Sequence, residues 1–222
     1  MTSTLSRKPA NLCSYSKSEI ITILVGKDGE HSYTVHKDLL LKSKFFAACL
    51  KNECEEANSK IIKLPEDSHK AVEHFIEWLY TGRGNYSAKQ IGFIYLVGFA
   101  DKICSDEYYN ATIDSIRSTH NDGRIFIGPT GLKLIYDSGL RDSPFATYAL
   151  KSAVYVAMTD SSAFQGQNTG YDDQLGWWSC PELMRACFQE ILVWQKEKYA
   201  SPRKLKGCHF HRHEDGEQCS KE

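Results

Sequence analysis

The fold is decided by three consecutive stretches of sequence: SEIITILVG at residues 18–26, YTVHKDLLLKSKFFAACL at residues 33–50 and IIKLPEDSHKAVEHFIEWLYTG at residues 61–82. The apolar run at residues 20–25 is rich in β-branched side chains and ends at Gly26, a pattern that predicts a buried strand. Asp28-Gly29 predicts a hairpin turn, and residues 33–35 then begin the return strand.

After the hairpin the pattern becomes helical, because apolar residues recur three or four positions apart between Leu39 and Leu50. Residues 61–64 predict a third strand, which ends before Pro65. A further helix is expected from about Ser68 to Thr81, with Gly82 as its C-cap. Its predicted apolar face consists of Ala71, Val72, Phe75, Ile76 and Leu79.

This order of elements resembles the BTB/POZ domain, in the version found in short fungal BTB proteins. The matching motifs are Val35-His36-Lys37-Asp38-Leu39-Leu40, Ser43-x-x-Phe46, Leu64-Pro65-Glu66-Asp67 and Phe75-x-x-Trp78-Leu79-Tyr80-Thr81-Gly82. Glu19 departs from the family, which usually has Asp just before the first strand. The resemblance implies an α+β fold of BTB/POZ type, a small mixed sheet flanked by helices, followed here by an all-helical C-terminal extension.

The pattern divides the chain into four segments. We expect a flexible N-terminal arm at 1–17, a BTB/POZ domain at 18–118 with its core at 18–84, a helical extension at 119–200 and a tail at 201–222. Within the extension, the polar and Gly-rich stretch at about 159–178 predicts a long loop.

Several helices are predicted outside the core. Two are expected between Ser87 and Arg117, with residues 99–102 as the step between them. In the extension, Pro129, Pro144 and Pro181 each open a helix, since proline fits the first helical turn. The last of these has a predicted apolar face made of Met184, Cys187, Phe188, Ile191, Leu192 and Gln195.

Composition and charge indicate which partners and which compartment the protein can have. The 222 residues carry 27 Lys and Arg against 28 Asp and Glu, a formal net charge of -1, so no global basic field favours nucleic acid or an anionic membrane. The N-terminus lacks the apolar stretch of a secretory signal, and no apolar run reaches the roughly 20 residues that a bilayer requires. We therefore predict an intracellular protein, cytoplasmic or nuclear, whose eight cysteines are mostly free thiols.

The sequence contains none of the motifs that define common catalytic sites, such as Gly-x-Ser-x-Gly, the phosphate-binding glycine loop or His-Glu-x-x-His. Neither a catalytic residue nor a small-molecule substrate is predicted. His36, at a strand-to-helix junction, could act as a general base, but a capping or core hydrogen bond is the favoured interpretation.

The tail contains a cluster of cysteine and histidine. Cys208, His211, His213 and Cys219 would supply the four thiolate and imidazole ligands that structural Zn²⁺ prefers. A tail of this kind also resembles the ends of many short fungal BTB proteins. The alternative is a solvated tail in which these residues bind no metal. Arg203, Lys204, Lys206 and Arg212 form a modest basic stretch that could be a weak nuclear-import or phosphate-contact patch, but charges that only solvate the tail are the favoured interpretation.

The resemblance implies a non-enzymatic protein-interaction module, which acts as a scaffold or regulatory adaptor through protein partners or self-association. One alternative is a substrate adaptor of a cullin-based ubiquitin ligase, whose docking tripeptide falls at Cys54-Glu55-Glu56. Another is a zinc-dependent transcriptional or nucleic-acid-associated regulator centred on the tail. No amphipathic helix is seen among residues 1–17, so a monomer or a weak dimer is expected.

Overall fold

The computed structural model describes residues 15–51, 55–83, 92–122, 127–160, 179–205 and 207–213. It divides into two compact units, Met1–Ile116 and Arg117–Glu222. Among the described residues, no helix combines the length and apolar character that a membrane span requires.

The first unit is built on a three-stranded mixed sheet. Strands β1 (Ile20–Val25), β2 (His31–His36) and β3 (Ile61–Leu64) lie in the order β2-β1-β3. β1 pairs antiparallel with β2 and parallel with β3, so the predicted first and third strands share one sheet. The predicted turn at Asp28-Gly29 is present, and Gly29 has a φ of +70°, a conformation that glycine adopts without steric cost.

Three short helices connect β2 to β3. They are α1 (Lys37–Leu40), α2 (Lys44–Cys49) and α3 (Glu55–Ser59). The continuous helical spacing from Leu39 to Leu50 therefore gave an incomplete prediction, since the chain leaves the helix at Leu41. Ser43 then starts α2 as its N-cap, where its side chain accepts a hydrogen bond from the backbone N–H of Phe46.

Helix α4 (His69–Thr81) carries the centre of the core, as its sequence predicts. Phe75 and Leu79 are buried, and the Phe75 ring stacks on Phe46 with centroids 5.6 Å apart and meets Tyr108 edge-on at 5.0 Å. Gly82 ends the helix with a φ of +69°. The periodicity of this segment thus identified its end and most of its buried face: of the predicted residues only Ile76 is half-buried, and His74 and Trp78 are buried in addition.

Two longer helices follow, α5 (Phe93–Lys102) and α6 (Asp106–Asp122). Residues 99–102 lie inside α5 rather than between the two helices, which corrects the sequence-based placement. The step between them is instead at residues 103–105, where Cys104 takes a φ of +50°.

The second unit contains α7 (Pro129–Asp137), α8 (Pro144–Thr159) and α9 (Pro181–Glu197), and confirms the helical extension. Each begins at the predicted proline. α8 packs against both α7 and α9, and the core of this unit includes Leu132, Ile135, Phe145, Tyr148 and Leu183. Most of the predicted loop at 159–178 lies outside the described residues.

Helix α9 buries only part of its predicted apolar face. Leu183 and Cys187 are buried, whereas Phe188 and Leu192 are 64% and 65% exposed. The two exposed residues share the apolar periodicity, but no described part of the unit covers them. Apolar spacing therefore identified the helix without identifying which of its faces packs.

Candidate interaction site

The residues predicted to bind a partner lie on α3, just before β3. All five residues of α3 are outside the core, and of the predicted docking tripeptide Glu55 is exposed and Glu56 half-buried. Cys54 lies outside the described residues. The helix itself was not predicted, because its sequence EEANS has no apolar period; two acidic residues in a first turn were the available signal.

The C-terminal end of α3 is fixed to the sheet by Lys60. This residue has a φ of +58° and leads directly into β3, where its carbonyl accepts a hydrogen bond of 2.9 Å from the N–H of Thr22. Its Nζ lies 2.9 Å from Oε1 of Glu19. The surface helix is therefore connected to β1 through both the backbone and an ion pair.

Glu19 binds a second lysine with its other oxygen. Oε2 of Glu19 is 2.9 Å from Nζ of Lys37, the first residue of α1, whose N–H also donates to the Glu19 carbonyl at 2.8 Å. Hydrogen bonds to Lys37 and then Lys60 lower the pKa of the Glu19 carboxyl to about 2. The carboxylate thus ties the starts of α1 and β3 to the same end of β1.

His36 makes a structural hydrogen bond rather than a helix cap. Its side chain makes no capping contact with α1, and Nδ1 lies 2.7 Å from the hydroxyl of Tyr80. The Tyr80 oxygen also accepts a 3.2 Å hydrogen bond from the backbone N–H of His36. Of the two structural roles predicted for His36, hydrogen bonding is the one observed.

The structure describes three of the four predicted zinc ligands. The N–H of His211 donates to the Cys208 carbonyl at 3.0 Å, and the rings of His211 and His213 have centroids 5.8 Å apart. Cys219 lies outside the described residues. Within the described ranges, no three His, Cys, Asp or Glu side chains are grouped so that they could hold a metal ion. Because the fourth ligand is not among these residues, zinc binding by the tail stays a prediction.

The described part of the tail is packed into the second unit. Phe210 is buried and meets Tyr148 edge-on at 5.3 Å, and the guanidinium carbon of Arg117 lies 5.3 Å from the Phe210 ring centroid. Arg117 also donates through Nη2 to the carbonyl of Leu205. The interpretation of a merely solvated tail is therefore wrong for these residues.

A buried histidine lies under this segment. Nδ1 of His120 is 2.9 Å from the Tyr148 hydroxyl, and the His120 carbonyl accepts a 3.5 Å hydrogen bond from Nη1 of Arg203. Burial, and secondly the charge of Arg203, lower the pKa of His120 to about 4. Arg203, which the sequence assigned to a solvated basic stretch, thus helps to anchor the tail.

The mixed sheet, the three short helices that follow β2 and the aromatic helix α4 lie in one continuous part of the first unit, between Ile20 and Thr81. The family model for the BTB/POZ domain matches residues 18–98, from just before β1 into α5. This part of the chain is a BTB/POZ domain, as its motifs predicted. No curated protein matches the chain. The predicted domain bounds beyond residue 98 stay predictions.

Proposed function

We propose that the protein is a non-enzymatic interaction module, which acts as a scaffold or regulatory adaptor through its BTB/POZ domain. The family match over residues 18–98 is the observation that carries this proposal, because domains of this family mediate protein–protein interaction and self-association. The mechanism is then surface complementarity, in which affinity comes from buried contacts and no bond is made or broken.

The site geometry supports this mechanism. The Glu19 carboxylate and the backbone of Lys60 hold the base of α3 against the sheet, while Glu55 extends into solvent. A partner that docks here meets two carboxylates, Glu55 and Glu56, on a helix that is already fixed to the sheet, so little conformational entropy is lost on binding. We expect such a partner to present basic or hydrogen-bond-donating groups towards α3.

A cullin-based ubiquitin ligase is the second candidate, and the position of Glu56 favours it. Glu56 lies half-buried on a surface helix that directly precedes β3, where cullin-docking members of the family carry an apolar-x-Glu tripeptide. The apolar position is Cys54, which is smaller than the usual Met, Leu or Phe. At about 25 cal/mol per Å², the smaller side chain weakens the anchor by about 1 kcal/mol or more.

Calorimetric titration of the full chain with a purified cullin N-terminal domain distinguishes the two roles. The adaptor role requires stoichiometric binding that Glu56→Ala abolishes and that Glu66→Ala, which removes an exposed carboxylate between β3 and α4, leaves unchanged. Absence of binding rules out the cullin role and leaves the interaction module in place. If proximity labelling in native cells also recovers no protein partner of the full chain, the general proposal fails.

The zinc prediction has its own test. Metal analysis of the purified full chain, with Cys219→Ser as the control, would show one equivalent of zinc in the parent and much less in the variant if the four predicted residues bind it. A metal-free parent that does not change with a chelator would remove this prediction.

A further inference from the structure

Helix α9 presents two large apolar side chains to solvent. Phe188 and Leu192 are 64% and 65% exposed and lie one turn apart, so they are neighbours on the helix surface. The helix is held in the unit by other residues: Leu183 and Cys187 are buried, and Glu190 pairs with Lys151 of α8 at 3.0 Å. Phe188 and Leu192 are therefore not needed to fix α9 in place.

A cation lies at each end of this apolar pair. Arg185, Phe188, Leu192 and Lys196 follow at intervals of three, four and four residues, so they form one ridge along the helix, here called the α9 stripe. Arg185 and Lys196 are exposed and make no ion pair with a described residue. They stand roughly 16 Å apart along the axis, from eleven residues at about 1.5 Å each.

The carboxylates of α9 do not neutralise these cations. Glu182 is 2.6 Å from Nη1 of Arg141, and Glu190 is paired with Lys151. Glu197 lies five residues beyond Leu192, which places it on the other side of the helix. The α9 stripe is thus an apolar pair with positive charge at both ends.

We propose that the α9 stripe is a second protein-binding surface, and that its partner is an amphipathic segment with two apolar side chains one turn apart and an Asp or Glu beyond each. Apolar contact at the centre gives the affinity, and the two cations select acidic ends and fix the register. The inference concerns the second unit alone and holds whether or not the BTB/POZ domain binds a cullin.

A second copy of the chain fits this surface poorly. In an antiparallel pairing centred between Phe188 and Leu192, Arg185 of one copy would approach Lys196 of the other, and a parallel pairing would oppose identical cations. Like charges at such close range disfavour association.

The test uses the purified full chain and two synthetic helical peptides. Each is about 16 residues long, since shorter helices are marginal in water. Both are Ala-rich with two Leu residues one turn apart; one carries Glu a turn beyond each Leu, and the other carries Lys at those positions. We expect the Glu peptide to bind at least about tenfold more tightly in fluorescence anisotropy, because its charges oppose those of the stripe.

Variants locate the binding. The double variant Phe188→Ala with Leu192→Ala should lose at least about tenfold in affinity for the Glu peptide, and Arg185→Glu with Lys196→Glu should reverse the preference between the peptides. Tyr95→Ala, which removes a side chain that is 61% exposed in the first unit, is the matched control and should bind as the parent does. Thermal unfolding of every variant confirms that it is folded.

Three results would overturn the proposal. The Glu peptide could fail to bind, the two peptides could bind equally tightly, or the folded Phe188/Leu192 double variant could bind the Glu peptide as tightly as the parent does. The first result is also the one expected if another part of this chain covers the stripe. None of them bears on the BTB/POZ domain, which the cullin titration tests separately.

Discussion

The hydroxyl of Tyr80 lies 2.7 Å from Nδ1 of His36 and 3.2 Å from its backbone nitrogen. The Tyr80 oxygen accepts a hydrogen bond from the His36 backbone N–H, and the Tyr80 hydroxyl forms a second hydrogen bond with Nδ1 whose donor depends on the tautomer of the imidazole. This pair joins the last turn of α4 to the junction between β2 and α1, beside the Glu19 ion pairs. The hydrogen bond to Tyr80 holds the His36 imidazole in place, so the role of this side chain is structural.

Replacing Tyr80 by Phe should destabilise the first unit by about 1–2 kcal/mol, because it leaves the part-buried backbone N–H and Nδ1 of His36 without their shared hydrogen-bond partner. Urea unfolding measures the change. Tyr95→Phe is the control, since Tyr95 is largely exposed, and should alter stability by less than about 0.5 kcal/mol. Equal effects of the two substitutions would contradict the assigned hydrogen bonds.

Ser43 connects α2 to the end of α5. Its Oγ donates to the Ile103 carbonyl at 2.6 Å and accepts from the Phe46 N–H at 3.3 Å. Ser43→Ala removes a cap and leaves a buried carbonyl with one partner fewer, so we expect a loss of about 1–2 kcal/mol in the free energy of unfolding. Ser32→Ala, on an exposed position of β2, should have little effect; if both variants unfold alike, the role given to Ser43 is wrong.

Two glycines, one inside α5 and one at the end of α4, should respond in opposite directions to substitution by alanine. A Cβ at Gly98, inside α5, would meet no atom within 4 Å, so Gly98→Ala should stabilise the protein by about 0.5–1 kcal/mol. Gly82 has a φ of +69°, and Gly82→Ala should cost about 1 kcal/mol because of its left-handed conformation. Differential scanning calorimetry of both variants checks the signs. A destabilising Gly98→Ala would indicate that something closely approaches that face of α5.

The second unit should lose stability on mild acidification. The folded-state pKa of His120 is about 4, below the ordinary value of about 6.5. The stabilisation from burying the neutral imidazole is therefore complete above pH about 6.5 and is lost as the pH falls towards 4, at no more than about 1.4 kcal/mol per pH unit.

Two measurements check this expectation. NMR titration of the His120 imidazole gives its folded-state pKa directly, and a value at or above 6 would contradict the buried placement. Unfolding experiments between pH 7 and 4 should show a smaller pH dependence for His120→Gln than for the parent. If the two slopes match, the pH dependence comes from other groups.

The spacing of apolar residues along the sequence was sufficient to predict single strands and helices such as β1 and α4. The apolar run at 20–25 gave β1, and the helical spacing at 69–81 gave α4 with most of its buried face, because these patterns involve residues one to four positions apart. Burial in β1 alternates, however, and Ile20 is 47% exposed, so the predicted buried strand is buried on one face only. The break at Leu41–Ser43 was missed because the apolar spacing continues through it. Ser43 caps α2 locally through the Phe46 N–H and also bonds the carbonyl of Ile103, 60 residues away. Periodicity within one helix carries no information on such a contact.

The sequence predicted where the candidate sites lie along the chain, but not which residues contact them or how exposed they are. The order of motifs placed Glu55 and Glu56 before β3 correctly, yet did not show that Lys60 and Glu19 hold that segment. On α9 the apolar residues were found, but their exposure depends on how α7 and α8 pack around the helix. In the tail, the sequence showed Cys208, His211 and His213 without indicating that Phe210 packs against Tyr148.

Cross-linking mass spectrometry of the full chain in its native cells tests the central claim, protein binding through the BTB/POZ domain, most directly. Lys51, Lys60 and Lys63 are exposed and flank α3, so they report on a partner at this surface. We predict reproducible cross-links from these lysines to a second protein or a second copy of the chain. Intermolecular cross-links confined to lysines of the second unit, or none at all, would contradict the account.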